Sequence, residues 1–104
     1  MAGSPKMISS LAELDGRYAA VFCDVWGVIH NGERSFPDAA AALTRARENG
    51  VAVVLITNAP RPAPPIVKQM GRLGVPESAW DRIVTSGDVT RGLVRNGPRK
   101  IFHL

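Results

Sequence analysis

The sequence predicts an α/β fold, a doubly wound, Rossmann-like parallel sheet flanked by helices. Three observations predict it. Apolar runs of strand length recur along the chain, as "YAAVFCDV", "VAVVLIT", "RIVT" and "KIFHL". Segments with helical periodicity and helical start and stop signals separate them. Strands spaced by helices need crossover connections, and crossovers build parallel sheets. At 104 residues the chain suits one small domain or part of a larger one, and no repeat, linker or low-complexity tract divides it.

Taken in order, "ISSLAEL" opens a short helix with a capping box, Ser10 with Glu13 three residues on. "YAAVFCDV" is a continuous apolar run, the pattern of a strand covered on both faces. "SFPDAAAALTRAREN" is a helix capped by Ser35 or Phe36, with Pro37 in its first turn and Asn49-Gly50 ending it. A second buried strand runs from Val51 to Thr57. "APRPAPP" is a proline-rich loop, and Pro65 opens a helix whose Ile66, Met70 and Leu73 share a face before Gly74 stops it. "RIVT" is the third strand. "SGDVTRGLVRNG" is a helix with a capping signal in Thr85 and Asp88, an apolar pair in Val89 and Leu93, and an Asn-Gly stop. "KIFHL" starts a fourth strand.

Composition narrows the function classes. Net charge is +4, from ten Arg and three Lys set against nine acids. Only Arg95, Arg99 and Lys100 cluster, without interleaved aromatics, so the chain lacks the concentrated basic stripe of a nucleic-acid binder. Cys23 is the single cysteine, which leaves no intrachain disulfide and no second thiolate for zinc, and fits a reducing compartment. "MAGSPKMISS" has no apolar core of a leader, and no run reaches membrane-spanning length. A cytoplasmic protein with neither nucleic-acid nor membrane partner is expected.

In parallel sheets of this kind ligands gather at the carboxyl ends of the strands. The predicted strands end on Asp24, on Thr57-Asn58 and on Thr85-Ser86. A carboxylate at such a place can be a metal ligand, a nucleophile or a general base, or it can cap the strand end by bonding nearby amides. Spacing alone leaves both open.

The ordered set "FCDVWGVIHNG", "VVLITNAPRP" and "IVTSGD" resembles the haloacid dehalogenase (HAD) superfamily. More narrowly, it resembles the capped phosphatases of type IIA, whose large cap is inserted between the second and third motifs. The resemblance runs from about Tyr18 to the C-terminus. It implies that Asp24 attacks the substrate phosphorus to form an aspartyl-phosphate. It implies Mg2+ held by the Asp24 carboxylate and the Trp26 backbone carbonyl, and a Thr57 hydroxyl that hydrogen-bonds the transferring phosphoryl group. Trp26, Gly27, Asn58 and Arg61 then stand where the family's loops meet the substrate, a small phosphorylated metabolite. The chemistry is consistent with such a set, since phosphoryl transfer needs an in-line nucleophile, a cation and fixed donors. After Asp24 the family has a small hairpin, and Asn31-Gly32 is a strong hairpin signal.

Two departures qualify the resemblance. Phosphatases of the family carry a second aspartate two residues after the first, as the general acid for the leaving alcohol. Here that position is Trp26, whose indole donates a hydrogen bond but does not shuttle a proton near neutral pH. The family's third motif, a lysine or arginine, and its acidic fourth lie beyond the cap. The 104 residues are therefore expected to be the N-terminal part of a core domain, an incomplete HAD core lacking the cap and C-terminal motifs and inactive alone. Rival readings are a non-catalytic binding module of the same fold, a carbon–halogen hydrolase, and a receiver-like domain, which would want an acidic cluster ahead of Asp24. Without further strands the Asp24 strand is expected to be a sheet edge, inviting a homo-oligomer through residues 19–25.

The remaining residues have plainer readings. His30 reads as a surface turn residue and His103 as part of the last strand. Cys23 reads as a small core residue, and Trp26 as a pocket wall or a plug over the sheet edge. Trp80 is expected to pack under a loop, while Asp38 and Asp81 read as helix-start and turn residues.

Overall fold

The computed structural model describes residues 7–14, 16–97 and 100. Three parallel strands form an open sheet in the order β1-β2-β3: β1 (Ala20–Asp24), β2 (Ala52–Thr57) and β3 (Arg82–Thr85). Helices α1 (Pro37–Glu48), α2 (Ala63–Arg72) and α3 (Ser86–Asn96) alternate with them. The α/β class, the parallel sheet and the flanking helices are as the sequence predicts. The fourth strand expected in "KIFHL", with His103, lies outside the described residues.

Local signals account for most element ends. Pro37 stands in the first turn of α1, and the N-cap is Phe36, which offers no side-chain acceptor. α2 opens two residues earlier than expected, at Ala63, with Pro64 and Pro65 in its first turn. Proline is tolerated there because a first-turn N–H has no intrahelical partner. The first helix shrinks to one 3-10 turn, Leu11–Leu14, in which the Glu13 carboxylate accepts from the amides of Ser9 and Ser10.

One core lies on one face of the sheet. Val53 and Leu55 of β2 pack with Leu43 and Ala46 of α1, Met70 of α2, and Val25 and Ile29 from the turn after β1. The expectation that the first two strands are covered on both faces is overturned. Phe22 is 73% exposed, and Ile56 and Val84 point out on the same side. α3 begins over that opposite face, where Val89 shares a shallow concavity with Ile56 and Val84, yet Leu93 stays exposed. An uninterrupted apolar run carries no alternation, so it could not reveal which face is open.

Asp81 does more than make a turn. Its carboxylate accepts from the Val53 amide at 2.7 Å and from the Arg47 guanidinium at 2.8 Å, tying α1 to the start of the sheet. Trp80 packs against the core, and Asp38 lies in the first turn of α1, the helix start expected of it. Among the described residues no helix is long and apolar enough to cross a membrane.

Candidate active site

The parallel register sets the strand ends side by side, Asp24 opposite Ile56 and Thr57 opposite Thr85. Asp24 closes the edge strand and is exposed. Its Oδ1 accepts the Val25 amide at 2.8 Å, and its Oδ2 accepts no hydrogen bond from the described residues. Asp24 and Asn58 line one open concavity of about 250 Å³, floored by Phe22, Cys23 and Ile56. Asn58 also borders a second concavity of about 270 Å³, which reaches Thr57, Thr85 and Ser86. The structure thus gathers Asp24, Asn58 and Thr57 along one line.

Thr57 is buried, and its Oγ1 accepts from the Ala59 amide at 3.3 Å, which leaves its own hydroxyl proton free to donate. Burial, and then the Asp24 charge, push the Cys23 thiol pKa up. Its Sγ lies 3.2 Å from the Asp24 carbonyl as a weak donor. A thiol so placed is a small core group, not a nucleophile.

Other expected site residues lie elsewhere. Arg61 turns back along α2 and donates to Gln69 Oε1 at 3.1 Å, away from both concavities. Gly27 has φ +77°, which only glycine adopts readily, and its amide donates to the His30 carbonyl at 2.8 Å. The Trp26 indole is half exposed and lines neither concavity. It stands edge-on to His30 and lies over Gly32. The side chain thus packs over the turn after β1, beside His30 and Gly32.

The hairpin signal yields a wider turn. His30 and Ser35 form one antiparallel bridge around residues 31–34, with Gly32 at φ +88° and no positive φ at Asn31. Asn31 Oδ1 accepts from the amides of Glu33 and Arg34, so the asparagine makes an Asx turn in place of a two-residue hairpin. His30 is a correction: it is fully buried. Its Nδ1 accepts from the Gly32 amide at 3.0 Å, which places the ring proton on Nε2, and Nε2 has no partner in the described structure. Burial lowers its pKa below the usual 6.5.

For a cation, the end of β1 and the turn after it offer hard oxygen donors: the free Asp24 Oδ2 and the Trp26 carbonyl, which takes part in no hydrogen bond among the described residues. That donor chemistry fits a magnesium-type ion, which keeps several waters and is bound by one or two carboxylates. No group of three His, Cys, Asp or Glu comes together among the described residues.

Two residues make contacts that the sequence reading did not give. Asp88 in α3 accepts the Ala63 amide at 2.9 Å through Oδ2, while its own amide donates to Thr85 Oγ1 at 2.9 Å. The capping pair was legible from Thr85 and Asp88; the reach to α2, 25 residues away, was not. Gly87 donates to the Ala59 carbonyl at 3.1 Å, and a methyl there would meet the carbonyl oxygens of Pro60 and Arg61 at 2.5 Å.

The fold is a parallel α/β sheet with a carboxylate at the end of one strand and a hydroxyl-amide pair at the end of the next. The chain belongs to the haloacid dehalogenase-like hydrolases, whose family model matches residues 21–104. It is similar to a crystal structure of a hydrolase of the haloacid dehalogenase-like family from Brucella suis 1330, with 61% identity and a TM-score of 0.84. That match covers 95% of this chain and 38% of the Brucella chain, so the protein spans well under half its relative's length. No curated protein matches the sequence.

Proposed function

We propose that the chain is the N-terminal part of the core of a magnesium-dependent phosphatase, acting on a small phosphorylated metabolite through an aspartyl-phosphate at Asp24. The observation that carries this reading is the exposed Asp24 carboxylate beside Asn58 in one concavity at the strand ends.

In the proposed reaction an Asp24 oxygen forms a bond to phosphorus as the ester P–O bond breaks. The leaving alkoxide takes its proton from solvent, because the Trp26 indole does not release its proton near neutral pH. Water then attacks phosphorus and releases Asp24 and inorganic phosphate. The Thr57 hydroxyl and the Asn58 amide donate to the phosphoryl oxygens, where fixed donors lower the barrier. Mg2+, when bound, offsets the phosphoryl charge, with the Asp24 carboxylate and Trp26 carbonyl as its protein donors. These 104 residues alone bring one carboxylate and no lysine to the concavity, so they are expected to be inert. Cytoplasmic placement belongs to the same proposal.

The test splices residues 1–104 in place of the matched segment of the Brucella hydrolase. Magnesium-dependent release of phosphate, abolished by Asp24→Asn with an unchanged melting temperature, is the expected result. Turnover retained in Asp24→Asn would remove Asp24 as the nucleophile.

Trp26 supports a second reading, a non-catalytic binding module. Its indole occupies the general-acid position and is committed to the turn at Gly32. A spliced protein that binds phosphate without turnover would favour it.

A further inference from the structure

We propose that Asp88 and Gly87 are positioning residues for the loop that carries Asn58, holding it beside Asp24 from the far side of the sheet. The role given to that loop rests on the phosphatase reading above.

The segment from Asn58 to Pro62 links β2 to α2 and has little to hold it locally. The N-cap of α2, Pro62, has no side chain that can accept from the first-turn amides. The missing acceptor comes from another helix, as Asp88 Oδ2 takes the Ala63 amide at 2.9 Å. On the near side, Gly87 donates to the Ala59 carbonyl at 3.1 Å, and Thr57 Oγ1 accepts from the Ala59 amide at 3.3 Å. The loop is therefore gripped at Ala59 and at Ala63, with Asn58 one residue outside the first grip.

The approach is close enough to demand glycine. Gly87 is buried and helical, so its backbone angles suit any residue. Its lack of a side chain is needed only because the carbonyls of Pro60 and Arg61 sit where a methyl would go. Asp88 is anchored in turn, since its amide is held by Thr85 Oγ1 at 2.9 Å. Thr85 ends β3, in register with Thr57. The position of Asn58 thus depends on the start of α3, through contacts that span the strand ends.

The experiment uses the 104-residue chain, labelled with 15N, and the metal alone as probe. Without metal, Asp88→Ala should speed hydrogen exchange at Ala63 by at least on the order of tenfold and shift the Asn58 and Arg61 resonances. Val53 and Leu55 in the core should not change. Asp88→Asn, which keeps an acceptor oxygen, should restore the loop, and Gly87→Ala should displace it. Paramagnetic Mn2+ should broaden Val25, Trp26 and Asn58 in the wild type and none of them in Asp24→Asn. In Asp88→Ala the broadening should persist at Val25 and Trp26 and weaken severalfold at Asn58. Loop resonances indifferent to both substitutions would overturn the proposal, as would loss of protection spread equally through the core, which is what a merely structural role gives. Absence of Mn2+ broadening in the wild type, with the loop still dependent on Asp88, would overturn the Asp24 metal reading and uphold the grip.

Discussion

The Trp26 indole meets the His30 imidazole edge-on, with ring centroids 5.1 Å apart and planes at 68°, and its outer edge closes over Gly32. His30 Nδ1 in turn takes the Gly32 amide at 3.0 Å. Three residues of the turn after β1 therefore depend on one another, the first of them two positions past the proposed nucleophile.

Gly32→Ala should destabilise the chain by about 1–3 kcal/mol, the cost of a strained backbone position. Gly32 has φ +88°, and a methyl there would run into the indole ring. Thermal melts of Gly32→Ala, alone and with Trp26→Ala, separate the two causes. The double variant should recover the part due to the clash and keep the part due to the backbone angle.

Stability should fall on acidification below pH 6.5, the ordinary histidine value. Burial lowers the folded pKa of His30, so between the two values the unfolded chain holds a proton that the folded chain does not. Stability then rises with pH across that window and is complete above it. Protonation also ends the acceptor role of Nδ1 toward Gly32. Melting temperatures measured against pH should show this slope in the wild type and a flatter one in His30→Gln; equal slopes would clear His30.

Trp26→Asp, in the protein spliced to the rest of its relative, should raise hydrolysis of alkyl phosphates by up to roughly 10²-fold, the lower part of the range for general acid–base catalysis. Aryl phosphates, whose leaving groups need no proton, should gain less. Initial rates on one substrate of each kind decide this, with a melt to show that the turn survives loss of the indole. Equal gains on both would count against a missing general acid.

Association of the chain should depend on Phe22. Among the described residues β1 is an edge strand with its ladder groups unpaired on one side, and Phe22 is 73% exposed beside them. Edges of this kind template pairing unless charge protects them. Light scattering against concentration should show association in the wild type and less in Phe22→Lys. A concentration-independent monomer in both would exclude the edge as a self-pairing surface.

Strand ends were legible in the sequence because each apolar run stops at a polar residue: Asp24, Thr57 and Thr85. Those three residues fall in neighbouring strands with matched registers. The open face was hidden, since Phe22 and Cys23 are both apolar and the run shows no period. His30 was misread for a physical reason. A histidine beside Asn31-Gly32 looks solvated, but the chain wraps over it through the bonds of Gly27 to His30 and Phe36 to Ile29. Asp88 showed only its local half, because a capping pattern says nothing of an amide 25 residues back. Arg61 was assigned to the substrate from its loop, whereas Gln69, two turns along α2, takes its guanidinium.

Among the described residues Asp24 has a neighbouring strand on one side only, and the concavity beside it is correspondingly open. Whatever polypeptide next occupies that flank would build the opposite wall in the same act that extends the sheet. Supplied as a separate piece, that polypeptide would complete the cleft by mass action, with its occupancy set by an association constant. A dilution series of two separately expressed pieces would show activity that scales with the product of their concentrations.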